Sequence, residues 1–355
     1  MCNCLSMAGL SLRQRDLAAT RAQLGQWFEH RFGEPVEVGD LRPANRAAGW
    51  SSESLLFSTT NLHRTKEFVV RIPPTGGGIY ADYDLAAQTR TQQHLHDYGI
   101  ATPSPIYYEP DGSWLGSSFL VMPRIVGHTP SDTSYATRSW LHGAGVDVQR
   151  RVHDSFLDTL VGLQRVPIEH VPWLKRPQGV GNDAELAWWR EYIEWATDKQ
   201  VPALITEAFD WLDRHRPAEE PELAVCWGDA RLSNAIFGDT GQIVGVLDWE
   251  QACLCPAETD FAWWLATRRQ TMEVNGIDAD PELPGFDSRA QVISRYEEMI
   301  GRPLQALGWY EIFAMVRMGC CIVRVQWLLR SIGQGDHGLT KAPVMPAWTV
   351  AAIRA

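Results

Sequence analysis

From about residue 149 onward the sequence reads as one helix after another, and that run is broken once, between Leu223 and Leu247, by three short β-like segments. Leu223–Trp227, Ala235–Phe237 and Gln242–Leu247 are too short to extend helices, and Gly238-Asp239-Thr240-Gly241 supplies hairpin-turn chemistry between the last two. A helical region interrupted by a strand and a hairpin is not a simple bundle. The same island holds the most informative polar residues of the chain.

The texture before it differs. Residues 1–35 read as a leader and a helix, Leu12–Phe32, with Leu17, Leu24, Trp27 and Phe28 roughly on one face. Ser54–Ser58, Glu67–Ile72, Pro105–Tyr108 and Ser118–Met122 read as strands set off by Gly, Pro and Asp turns, with one helical pattern, Tyr83–Tyr98, among them. Further helices are expected over Val152–Gln164, Asp183–Lys199, Val201–His215, Ser288–Ile300 and Trp309–Ile332. The expected fold is α+β and two-lobed, with a small β-rich N-lobe at residues 36–122 and a larger, mainly helical C-lobe at 123–355.

Charge and composition exclude several classes. With 32 Lys and Arg against 43 Asp and Glu the formal charge is −11, which opposes binding to nucleic-acid phosphates or an anionic membrane. No stretch approaches about 18 uninterrupted apolar residues. The most apolar, Trp309–Ile332, contains Glu311, Arg317, Arg324 and Arg330, so no membrane span is expected. The seven Cys include no C-x-x-C pair, and residues 1–35 show no secretory pattern, which points to a reducing cytoplasm. Cys253 and Cys255 read as buried packing residues, and no His has zinc-ligand spacing.

Trp227-Gly228-Asp229-Ala230-Arg231-Leu232-Ser233-Asn234, then the hairpin, then Leu247-Asp248-Trp249-Glu250, is the arrangement a metal-dependent phosphoryl transferase needs. One carboxylate takes the proton of an attacking hydroxyl. An amide oxygen and a second carboxylate are hard ligands for Mg²⁺ bridging nucleotide phosphates. An isolated D-x-x-x-x-N is common by chance, and the hairpin and upstream lobe are what give it weight.

These residues resemble the aminoglycoside phosphotransferase family of protein-kinase-like small-molecule kinases, whose H-G-D-x-x-x-x-N and D-W-E motifs are similar to WGDARLSN and LDWEQ here. Phe68–Pro74, Pro103-Ser104-Pro105, Phe119–Met122, Tyr296–Leu304 and Trp309–Phe313 are most similar to the branch related to kinase domains fused to acyl-CoA dehydrogenases. The resemblance covers roughly residues 40–335. It implies that Asp229 is the catalytic base, that Asn234 and Asp248 hold Mg²⁺, and that Asp260 braces the catalytic loop. It also implies that Arg71 contacts the phosphates of ATP, that Gly49, Ser51 and Ser52 belong to the phosphate-covering loop, and that Met122 and Arg124 flank the adenine hinge. The implied activity is transfer of the γ-phosphate of ATP to a hydroxyl of a small molecule.

Three positions depart from the family pattern: Trp227 where His is common, Gln88 where a Glu would pair with Arg71, and Gln164 at another frequent His. Asp82 or Asp84 could replace Gln88. These departures motivate an alternative, a catalytically inactive nucleotide-binding regulatory protein of the same fold. Arg317 and Arg324 lie seven apart on an apolar helix and are candidates either for ion pairs with carboxylates such as Asp260 or Glu311, or for a substrate pocket. Residues 256–355 hold 11 acidic and 10 basic side chains, and Trp188, Trp189, Trp195, Trp263, Trp264, Trp309 and Trp327 lie in the helical half. That balance suits a hydroxyacyl-CoA-like or other partly apolar acceptor at least as well as a polycationic antibiotic.

Overall fold

A computed structural model describes residues 15–44, 51–61, 64–74 and 77–355. The chain divides into two compact units. The first comprises the described parts of Met1–Gln93 together with Pro103–Arg124 and Arg324–Ala342, and the second comprises His94–Thr102, Ile125–Val323 and Pro343–Ala355.

The first unit opens with α1 (Leu17–Phe32), started by the Asp16 carboxylate, which accepts the Ala19 N–H at 3.0 Å, and stopped by Gly33 at φ 73°. Its sheet contains β1 (Glu37–Val38), β2 (Arg42–Pro43), β3 (Glu53–Asn61), β4 (Arg64–Ile72), β5 (Tyr107–Glu109) and β6 (Phe119–Pro123). The order is β1-β3-β4-β6-β5, β2 also pairs with β3, and every pairing is antiparallel. Strand alternation sorts the side chains. Phe68, Val70 and Ile72 pack with Phe57, Phe119, Val121 and the α1 residues Leu24, Trp27 and Phe28. On the other face Val69 packs with Leu120, Met122 and Leu85 of α2 (Leu85–Asp97), and the same alternation puts Arg71 on this face.

The second unit is mostly helical: α3 (Trp140–Gly143), α4 (Val146–Gln164), α5 (Gly181–Ala196), α6 (Ala203–Arg214), α7 (Glu258–Asn275), α8 (Arg289–Ile300), α9 (Leu307–Ser331, its last residues in the first unit) and α10 (Ala347–Arg354). Four short strands interrupt them: β7 (Leu223–Cys226), β8 (Ala235–Phe237), β9 (Ile243–Val246) and β10 (Cys253–Pro256). β7 pairs with β10, Cys226 facing Cys253, and β8 with β9 form a hairpin with a register shift at Ile236/Phe237. One apolar core, including Phe156, Trp227, Phe237, Trp249, Phe261 and Trp264, packs beneath both strand pairs.

Six elements, α3, α7, α10, β1, β2 and β10, are absent from the sequence reading, and for two of them the physical reason is plain. α7 is buried on all sides from Glu258 to Arg268, so it has no polar stripe to give a 3.6-residue period. β10, with the sequence Cys-Leu-Cys-Pro, is buried along its whole length and shows no alternation. The α9 helix is long and apolar enough, by length and composition, to cross a membrane, yet most of it is buried inside the protein, as in a core helix.

Candidate active site

The catalytic-loop sequence leaves β7 at Cys226 and is fixed by main-chain bonds. Asp260, in the first turn of α7, accepts the Trp227 N–H at 2.6 Å and the Gly228 N–H at 2.8 Å. Gly228 has φ +85°, and a Cβ there would lie 2.1 Å from the Gln251 carbonyl oxygen, so only glycine fits. The Trp227 indole N–H donates to the Leu247 carbonyl at 2.7 Å, just ahead of Asp248, and its ring packs against Phe156 and Trp249. Trp227 thus gives the loop both a hydrogen bond and aromatic packing.

Asp229 is buried, and Asn234 donates its amide N–H to the Asp229 carbonyl at 3.0 Å. The Leu247 N–H donates to the Asn234 carbonyl at 2.8 Å, which ties the loop to the end of the hairpin. Asp248 follows with φ 61°, a left-handed conformation that Asp tolerates better than most residues. Burial pushes the Asp229 carboxyl above its ordinary range; Arg231 opposes this, while the charges of Asp248 and Asp132 add to it. Burial also raises Asp260 to about 7, the Cys253 sulfur adding to the effect and the two main-chain N–H groups and Arg317 opposing it.

Sequence reasoning missed Arg231 and Asp132. Arg231 Nε stands 3.0 Å from Asp229 Oδ1, and its Nη1 is 2.9 Å from Asp132 Oδ2, which also accepts the Ser233 hydroxyl at 2.7 Å. Arg231 lies inside the quoted motif and could have been found from it. Asp132 is far away in sequence and gives no local signal.

The donors suit a hard cation. With its amide N–H committed to the Asp229 carbonyl, Asn234 could offer its amide oxygen, and Asp248 could offer carboxylate oxygens. Asp229 Oδ1 is buried, and Arg231 Nε faces it at 3.0 Å as an ion pair without the alignment of a hydrogen bond, so the carboxylate is charge-compensated. Among the described residues no group of three or more His, Cys, Asp or Glu could hold a metal by itself. Mg²⁺ here would therefore complete its shell with phosphate oxygens and water.

In the first unit, the register places Arg71 opposite Ser54, and the Arg71 guanidinium donates to Ser52 Oγ at 3.2 and 2.9 Å. Asp82 and Asp84 accept main-chain N–H groups of Tyr83 and Ala87, and the buried Gln88 Oε1 accepts no hydrogen bond among the described residues. Gly49 lies outside the described residues, and Ser51 precedes β3. Met122 is buried in β6.

Three further positions are engaged with other residues. At Arg124, placed at the hinge in the sequence reading, the main-chain N–H is bonded to the Glu67 carbonyl at 3.0 Å, and the guanidinium is paired with the Glu67 carboxylate at 2.9 Å. Arg317 is fully buried and donates to the Gly228 carbonyl and Gln251 Oε1, so it neither faces a substrate pocket nor pairs with Glu311, which is taken by Arg289. Arg324 is buried in the first unit, where it donates to the Gly78 carbonyl at 3.0 Å and covers the Trp327 ring. Gln164, for its part, donates to the Tyr296 hydroxyl.

Comparison with solved structures shows the protein-kinase-like fold of small-molecule phosphotransferases. A putative aminoglycoside phosphotransferase from Ralstonia eutropha JMP134 superposes with a TM-score of 0.68 at 18% identity, covering 94% of this chain and 98% of that one. A GDP complex of a variant aminoglycoside 2′-phosphotransferase IIIa superposes at 0.55 with 13% identity, covering 90% and 96%. Residues 44–291 carry the pattern of the phosphotransferase enzyme family (APH), and the chain belongs to that family. Among curated proteins it is similar to acyl-CoA dehydrogenase family member 11 of Pongo abelii, 25% identical over 241 residues, 64% of this chain and 29% of that protein. The chain thus spans less than a third of that relative's length, and the likeness matches the branch expected from the sequence.

Proposed function

We propose that this phosphotransferase moves the γ-phosphate of ATP to a hydroxyl of a small molecule with the help of Mg²⁺. The observation that carries the reading is the buried Asp229 carboxylate, charge-paired with Arg231 at 3.0 Å and fixed beside Asn234 and Asp248. Asp229 would accept the proton of the acceptor hydroxyl as that oxygen attacks phosphorus and the bond to the leaving ADP oxygen breaks. Asn234 and Asp248 would hold Mg²⁺, which neutralises phosphate charge when bound. Arg71 would bind phosphate oxygens, with Ser52 orienting its fork. Arg231, held by Asp132, brings a cation to the carboxylate that must receive the proton.

For the acceptor, the near balance of charge in residues 256–355 and the likeness to acyl-CoA dehydrogenase family member 11 support a hydroxyacyl-CoA-like alcohol over a polycation. The test is thermal stabilisation by Mg·ATP and Mg·GTP, then ADP release with hydroxyacyl-CoAs, aminoglycosides and macrolides as acceptors. Acceptor-stimulated ADP release that vanishes in Asp229→Ala supports the reading. Stabilisation by nucleotide with no turnover on any acceptor favours the inactive regulatory protein.

A further inference from the structure

Arg317 occupies the middle of α9 and is fully buried. Its Nη2 group donates to two oxygens, the Gly228 carbonyl at 2.6 Å and Gln251 Oε1 at 2.9 Å. The first belongs to the peptide that joins Gly228 to Asp229, so that peptide plane cannot rotate without breaking the bond. The second belongs to the residue that closes the 3-10 turn Trp249–Gln251, which begins immediately after Asp248. A single nitrogen therefore joins the loop of the base to the turn of the metal ligand. The preceding peptide N–H groups are held by Asp260, so the main chain at Gly228 is clamped on both sides.

The surroundings limit what this arginine gives to stability. Its guanidinium is faced by the rings of Trp263, Trp189 and Phe313 at 4.7, 5.4 and 5.6 Å, and Nε and Nη1 make no hydrogen bond among the described residues. Glu185 and Asp260 feel its charge, but Glu185 is bonded to Arg176 at 2.6 Å and Asp260 to main-chain N–H groups. A buried cation with two unfilled donors is worse for folding than an apolar side chain of similar length. Its return has to be geometric.

We propose that Arg317 is a positioning residue that fixes Asp229 relative to the Asp248 turn; this rests on the phosphotransfer roles given to those two carboxylates. The test compares Arg317→Met, Arg317→Lys, Gln251→Ala and Asp229→Ala with the wild type, using Mg·ATP alone as the probe. Acceptor-independent ADP release, the dissociation constant for Mg·ATP and the melting temperature are measured for each. Arg317→Met should lose roughly 10²-fold in turnover, the scale expected when a reacting group is displaced by about 1 Å. Its Mg·ATP dissociation constant should stay within about threefold, because the loss falls on kcat rather than on binding. Its melting temperature should fall by at most a few degrees, because the Gly228 carbonyl and Gln251 Oε1 lose their donor while two unfilled buried N–H groups are removed, and Arg317→Lys should recover part of the rate.

A folded Arg317→Met with wild-type turnover overturns the proposal. So does a variant in which turnover, affinity and melting temperature fall together and Lys is no better than Met. If Arg317→Met does not fold, Gln251→Ala decides: about tenfold lower turnover at unchanged affinity upholds the bridge, and unchanged turnover refutes it. Asp229→Ala separates the two levels. Wild-type ADP release abolished in Asp229→Ala but retained in Arg317→Met refutes the positioning role alone, whereas release absent in the wild type or indifferent to Asp229→Ala refutes both.

Discussion

The surroundings of Asp229 and of Arg71 are built in opposite ways. Around Asp229, four separate segments supply the restraints: Asp260 from α7, Arg317 from α9, Asn234 from the loop itself, and Trp227 reaching across to Leu247. Arg71 is placed by strand register, opposite Ser54 on β3, and its guanidinium is steered by the nearby Ser52 hydroxyl. The first arrangement is a web of bonds to main-chain atoms from several helices and loops; the Arg71–Ser52 contact follows from the register of two paired strands. A carboxylate proposed to meet one hydroxyl gains most from the web, while a long, forked cation proposed to meet diffuse phosphate charge is set first by its register.

The sharpest way to test that contrast is at the base. Asp229→Ala should lower kcat by about 10² to 10⁴-fold, the usual share of a general base, with Mg·ATP affinity retained. Asp248→Asn keeps a residue that tolerates the left-handed backbone but removes charge. It should weaken Mg²⁺-dependent nucleotide binding by about 10 to 100-fold, read from the Mg²⁺ dependence of ADP release. Arg71→Ala should raise the KM for ATP by about tenfold and leave kcat within a factor of a few, consistent with loss of binding common to ground and transition states. A kcat loss in Arg71→Ala as large as that in Asp229→Ala would erase the distinction.

A last prediction concerns stability, away from both groups. His153 is buried against Trp264 and Phe286, with Asp154 and Asp287 at 3.7 and 3.8 Å, and burial first, then the charge of Arg268, lowers its imidazole to about 4, against the pull of Asp287. The unfolded chain takes up that proton near pH 6.5, the folded chain only near 4. Stability from this group is therefore complete above about pH 6.5 and is lost as pH falls through the window down to about 4. His153→Phe should flatten that slope in urea unfolding, an effect of about 3 kcal/mol between pH 7.5 and 4.

Much of the base region was legible because its residues are consecutive. Asp229, Asn234 and Asp248 lie in one stretch of about twenty residues, and a hairpin turn between two of them announces the geometry. The strands around Arg71 were legible by alternation. What could not be read were bonds between distant residues: Asp132 to Arg231, or Arg317 to Gly228. The seven-residue spacing of Arg317 and Arg324 did mark two inward positions on α9, and both are buried. Periodicity says which side of a helix faces inward, but what it meets there is decided by other parts of the chain. Both arginines met main-chain carbonyls, groups that no side-chain pattern can advertise.

The ladder of β7 and β10 carries Cys226, Cys253 and Cys255, all buried and all unbridged. Because this ladder leads directly into Gly228 and Asp229, a thiol reagent can reach the three sulfurs only when the support of the loop has opened. Their alkylation under native conditions is thus a built-in clock. Its rate at these three positions, compared with and without Mg·ATP, reports how often the scaffold beneath Asp229 comes apart during ordinary fluctuation, with no substitution introduced.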